Sequence, residues 1–160
     1  IPSFDDFMKA KGLEPPLPGY TTEDAFKWVV ECINKVLPTA EDCGVVLALE
    51  NHWGLTRDAE GVLRILKEVD SPWLKALMDT ENFIENTYEQ LEKIAPYTIL
   101  VHAKTYFGGG EWYTLEIDYD KVFQVLRKHD YKGWITLEYE GKEPYETGIK
   151  KSMNLLTKYL

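Results

Sequence analysis

Residues 45–80 read VVLALENHWGLTRDAEGVLRILKEVDSPWLKALMDT and carry the repeating unit from which the fold is argued. Val45-Val46-Leu47-Ala48-Leu49 is a short unbroken apolar run that ends at Glu50. Such a run fits a strand buried on both faces, as in a parallel sheet. Val62, Leu63, Ile65, Leu66 and Val69 then recur at helical spacing. A second apolar run from Leu74 to Met78 ends at Asp79. Strand, helix and strand in succession form a parallel βαβ unit.

The same alternation continues downstream. A helix is predicted around Thr87 to Ala95, then a strand Thr98-Ile99-Leu100-Val101 ending at His102. A helix from Asp118 or Tyr119 to Lys128 precedes the strand Trp134-Ile135-Thr136-Leu137, which ends at Glu138. The last helix starts near Pro144, a residue suited to a first turn. Upstream, Thr21 with Asp24 resembles a capping box, and Phe26, Val29, Val30, Ile33 and Leu37 follow helical spacing. Pro38 is expected to kink or end that helix, and Gly44 to close the segment as a C′ glycine. Residues 1–20 hold Pro2, Pro15, Pro16, Pro18, Gly12 and Gly19 and are expected to be irregular, with at most one helical turn at Phe4, Phe7 and Met8. The domain proper then covers 21–160, a parallel α/β arrangement of helix and strand repeated four times and closed by a helix.

Composition removes several classes. The chain has 160 residues, 18 Lys+Arg against 27 Asp+Glu, and a net charge of −9. No basic face is available for nucleic-acid phosphates. No apolar run approaches the ~18 residues of a membrane span. With 44% hydrophobic residues the chain can build a core. Two cysteines, Cys32 and Cys43, make no disulfide framework; a structural role and a cytoplasmic location are expected.

Each of the four strands ends in a side chain able to bind a metal: Glu50, Asp79, His102 and Glu138. Parallel strands put their C-terminal ends on one side, where barrel active sites form. Three carboxylates and an imidazole suit one divalent ion, Mn²⁺, Mg²⁺, Co²⁺ or Zn²⁺. Taken singly, a carboxylate after a strand is a cap or a solvated loop residue, and a lone histidine is a structural one. Four at one topological position argue for convergence. His52 and Lys104 lie two residues past a ligand and point inward if the strands continue. His52 then contacts substrate or orients Glu50; otherwise it packs on Trp53. Lys104 takes a substrate hydroxyl, carboxylate or phosphate; otherwise it pairs with Glu140. Trp53, Trp112 and Tyr113 form an apolar wall for a ligand or pack their loops. Gly108-Gly109-Gly110 reads as a flexible loop, and His129 as a surface residue late in a helix.

The stretches ALENH, DTENF, VHAK and GWITLEYEG together resemble the xylose isomerase-like TIM-barrel superfamily, and within it the sugar phosphate isomerase/epimerase group, over residues 21–160. The resemblance implies a TIM-type (β/α) barrel of which this chain supplies about four βα units, strands five to eight. It implies a single divalent cation held by Glu50, Asp79, His102 and Glu138, with Glu50 and Glu138 as the acid/base pair. The implied activity is isomerisation or epimerisation of a sugar or polyol through an enediolate. Dehydration of a keto-polyol on the same scaffold is the alternative, and an inactive barrel fragment a further one. Asn82 stands where many relatives carry a substrate-binding histidine. Its presence, the absence of an Asp-x-His pair after His102, and the acidic charge argue against the family's endonucleases. Four strands leave two bare edges. A separate N-terminal half, a second copy, or further sequence of the same protein is expected to close the barrel, the last favoured because the chain starts at Ile1 without an initiator Met.

Overall fold

The computed structural model describes residues 4–110 and 113–160. Its helices are α1 (Phe4–Lys9), α2 (Thr22–Asp42), α3 (Ala59–Val69), α4 (Thr87–Ile94), α5 (Tyr119–Lys128) and α6 (Tyr145–Leu156). Its strands are β1 (Leu47–Glu50), β2 (Leu74–Asp79), β3 (Thr98–Thr105) and β4 (Trp134–Tyr139). The strands form one parallel sheet in the order β1-β2-β3-β4. Each successive strand joins beside its predecessor after a helical crossover, as parallel pairing requires.

Local chemistry sets the helix ends. The Asp24 amide donates to Thr21 Oγ1 at 3.2 Å, and the Thr21 amide donates to Asp24 Oδ2 at 2.7 Å. This completes the capping box of α2. At its other end Gly44 adopts φ +68°, so that its amide reaches Glu41 O at 3.0 Å and the Val45 amide reaches Ala40 O at 2.8 Å. That is the Schellman closure expected of a C′ glycine. Pro38 does not end α2, contrary to expectation. It sits on an exposed face near the C-terminus, where one missing amide donor is tolerated within a helix already capped at both ends. Asp58 caps α3 by accepting from the Gly61 amide at 2.8 Å.

The sheet is covered on one face. Ala59, Val62, Met78, Leu91, Ile94, Val101, Val122 and Phe123 pack between its outer side and the helices α3 to α5. Phe26, Ile65 and Leu74 tie α2 into the same layer. The opposite face carries Ala48, Leu77, Leu100, Trp134 and Thr136, and Trp134 is 82% exposed. Burial on both faces, expected of β1, is realised in β2; β1 and β4 are edges, and Ala48 and Thr136 are open to solvent. The first twenty residues hold α1, and the Gly54 amide donates to Gly12 O at 2.9 Å. Cys32 and Cys43 are exposed and free, so neither packs in the core as a structural cysteine would. Among the described residues no helix is long and apolar enough to cross a membrane.

Gly61 shows how tightly the outer layer is built. A Cβ there would lie 1.9 Å from the Leu55 carbonyl oxygen. Replacing a helical glycine by alanine ordinarily stabilises. Gly61→Ala is expected instead to destabilise by more than about 1 kcal/mol, because backbone must move. Urea unfolding of the two proteins checks the sign.

Candidate metal centre

Register brings the four strand-end residues together. Glu50 aligns with Leu77, Asp79 with His102, and Lys104 with Glu138. Side chains alternate with period two, so Glu50, Asp79, His102, Lys104 and Glu138 all stand on the uncovered face. One ligand atom from each of Glu50, Asp79, His102 and Glu138 lies within 4.8 Å of the others. His102 Nδ1 is 3.7 Å from Glu50 Oε1 and 3.5 Å from Glu138 Oε2. Asp79 Oδ2, His102 Nδ1 and Glu138 Oε2 are all buried and make no aligned hydrogen bond. Buried polar atoms that lack hydrogen bonds are costly. Three carboxylates and an imidazole gathered this closely are a donor set that fits a divalent cation.

The residues around the cluster orient it. Asp79 has no exposed surface, and its Oδ1 accepts from the amides of Glu81 at 2.8 Å and Asn82 at 3.0 Å. Oδ2 is thereby left facing the cluster. Asn51, also fully buried, holds the Asp79 backbone from both sides: Nδ2 donates to Asp79 O at 3.1 Å and Oδ1 accepts from Asp79 N at 2.7 Å. Asn82 donates from Nδ2 to Glu50 Oε1 at 3.3 Å and accepts from Lys104 Nζ at 3.1 Å. Lys104 Nζ lies 3.2 Å from Asp79 Oδ2, 3.6 Å from Glu138 Oε2 and 3.5 Å from Glu140 Oε1. Burial works against its charge, but Asp79 first, with Glu138 and Glu140, outweighs it and raises the ammonium above the ordinary lysine range. Burial likewise raises Asp79, opposed by Lys104. With the ammonium 3.2 Å away, the ionised pair is the state the contacts favour.

β3 runs three residues beyond His102, which is why Lys104 points inward as its spacing suggested. β1 stops at Glu50, so His52 lies in the loop beyond it, where strand alternation no longer applies. It is exposed, with its ring 4.8 Å from that of Trp53. Trp53 is 6.0 Å from Tyr113, which is 5.8 Å from Tyr106. These rings link the loop after β1 to the loop after β3. Trp112, expected in the same wall, lies outside the described residues. The glycine triplet is tied down: the Lys142 amide donates to Gly109 O at 2.8 Å, and the Gly110 amide donates to Thr114 Oγ1 at 2.7 Å. His129 caps the end of α5.

Sequence reasoning passed over Asn51 and Glu81. Glu81 is 4% exposed, neither carboxylate oxygen has an aligned hydrogen bond, and burial pushes its carboxyl up to about 8 despite the neighbouring Tyr106 hydroxyl. Asn51 directly follows Glu50 and Glu81 lies two residues past Asp79, which was the available signal. Asn51→Asp keeps the acceptor toward Asp79 N but sets oxygen against Asp79 O. A stability loss of about 1–3 kcal/mol is expected on losing that donor, read by urea unfolding of the metal-free protein.

A curated relative, the inosose dehydratase of Clostridium beijerinckii, is 24% identical over 160 residues, covering 82% of this chain and 54% of its own length. A solved D-allulose 3-epimerase from Methylomonas sp. superposes with a TM-score of 0.76 at 19% identity, over 91% of this chain and 59% of that one. An IolI protein with a bound zinc atom gives 0.70 at 19% identity, over 92% of this chain and 62% of that one. The chain thus spans a little over half the length of these relatives, and at such identities the likeness is one of fold. The family model of the xylose isomerase-like TIM barrel matches residues 8–159. With its four parallel strands, the chain belongs to the xylose isomerase-like TIM-barrel family as a partial barrel of about four βα units.

Proposed function

We propose that this chain carries the metal-binding half of a sugar isomerase or epimerase. The observation behind this reading is the convergence of Glu50 and Glu138 with Asp79 and His102 at one sheet end. Glu50, Asp79, His102 and Glu138 would hold one divalent ion, Mn²⁺, Mg²⁺, Co²⁺ or Zn²⁺; the zinc in the similar IolI protein supports a metal here. When bound, such an ion acts as a Lewis acid toward adjacent carbonyl and hydroxyl oxygens of the substrate. Glu50 and Glu138 lie 3.7 and 3.5 Å from His102 Nδ1, on β1 and β4, strands that stand on opposite sides of β3 in the sheet. A substrate carbon held before the cluster meets a carboxylate from either direction. One takes the proton α to the carbonyl, leaving an enediolate, and the other returns a proton. Return to the opposite face of the same carbon gives an epimer; return to the neighbouring carbon gives the aldose or ketose isomer. Asn82, His52 and Trp53 would contact the sugar. Four further strands, from the rest of a longer protein or a second copy, would close the barrel and complete the substrate site.

The dehydratase reading is favoured by the relative from Clostridium beijerinckii. There the same enediolate expels a hydroxyl from the next carbon instead of being reprotonated. One experiment separates the two. The full protein with Mn²⁺ is given ketoses and cyclic keto-polyols in D₂O and followed by NMR. Deuterium at the carbon α to the carbonyl, with an epimer or isomer, is the expected result; an unsaturated product marks a dehydratase. Glu138→Gln is expected to lower exchange by about 10²–10⁴-fold. Stripping the metal with EDTA should abolish turnover, and Mn²⁺ should restore it. Undiminished exchange in Glu138→Gln would remove Glu138 from the acid/base pair.

A further inference from the structure

We propose that Lys104 is the resident counter-ion of the metal centre: it holds the ligand side chains together when no metal is bound, and so weakens the site's grip on a divalent ion. The inference rests on the metal-binding reading above. Lys104 Nζ lies against Asp79 Oδ2 at 3.2 Å and Glu138 Oε2 at 3.6 Å. Those two oxygens are buried without an aligned hydrogen bond, and both residues belong to the candidate ligand set. The lysine side chain is only 2% exposed, and Asn82 Oδ1 at 3.1 Å and Glu140 Oε1 at 3.5 Å hold it as well. Four contacts fix the ammonium where it stands. An arriving cation must therefore share Asp79 and Glu138 with a positive charge that stays in place. The same ammonium orients Asn82, whose Oδ1 faces Lys104 and whose Nδ2 then faces Glu50 Oε1 at 3.3 Å. Three of the four ligand side chains are thus positioned by one lysine, two directly and one through an amide.

Two consequences of opposite direction follow from Coulomb's law. Without the ammonium, the buried Asp79 carboxylate loses its counter-charge and is repelled by Glu138, and the metal-free fold loses stability. With it, repulsion between ammonium and divalent ion lowers metal affinity. Glu140, whose side chain is 30% exposed, offsets part of the Lys104 charge and acts in the contrary sense.

The test uses the full protein, stripped with EDTA and titrated with Mn²⁺ by calorimetry, with melting followed at each stage. Lys104→Met is expected to melt lower than wild type when stripped. It should bind Mn²⁺ at least about tenfold more tightly and show a larger rise in Tm on adding Mn²⁺. Glu140→Gln is expected to bind Mn²⁺ about two- to fivefold more weakly. Should Lys104→Met fold only with metal, it is prepared in Mn²⁺ and its affinity read by competition with a chelator. A Lys104→Met protein that binds Mn²⁺ as wild type does, or more weakly, overturns the inference and leaves the metal centre standing. A wild-type protein that takes up no Mn²⁺ overturns both.

Discussion

A carboxylate with no exposed surface has to be compensated by its surroundings, and Asp79 is that carboxylate here. Its backbone is clamped by Asn51, its Oδ1 is taken by two amides of the following turn, and its Oδ2 faces the Lys104 ammonium. Each of those partners comes from a different place: the residue after β1, the turn after β2, and the middle of the extended end of β3. The geometry of the cluster depends on all three arriving together. Losing the alignment of β1, β2 or β3 would leave a buried charge unpaired, which makes their relative register costly to change.

The sheet explains why so much polarity is gathered on one face. Helices α3 to α5 cover the outer face with aliphatic and aromatic side chains, so the remaining face receives every alternate residue of each strand. Toward the N-terminal ends that face carries Leu77, Leu100 and Trp134 as its large apolar side chains, with Lys75 beside Ala48. Toward the C-terminal ends it carries Glu50, Asp79, His102, Lys104 and Glu138. Polar groups therefore lie where the crossover loops can surround them, and apolar groups where a barrel interior would be filled. The exposure of Trp134 is the counterpart of that division in a four-stranded unit.

Much of this was legible along the chain, for identifiable reasons. The apolar runs ending at Glu50, Asp79, His102 and Glu138 marked the strands because β-branched and aliphatic residues in short runs between helical patterns have few other outlets. Thr21 with Asp24, and Gly44, marked the ends of α2 because capping is a matter of local hydrogen bonds. Pro38 misled for the same reason: the local rule is right about the missing donor, but capping at both ends and an exposed position let the helix absorb it. The direction of His52 was conditional on whether β1 continued; the chain leaves the sheet at Glu50, and the ring lies beside Trp53, the packing that was the alternative.

By itself, then, the sequence determined the order of elements, the parallel architecture and which side chains end the strands, since all of these follow from local periodicity and from the handedness of βαβ crossovers. Which atoms of those side chains meet, and which groups neutralise them, was decided only in three dimensions. Asn51 on Asp79, Asn82 between Glu50 and Lys104, and Lys104 among Asp79, Glu138 and Glu140 are contacts across strands. Their partners are set by register and burial, quantities that exist only once the sheet has formed.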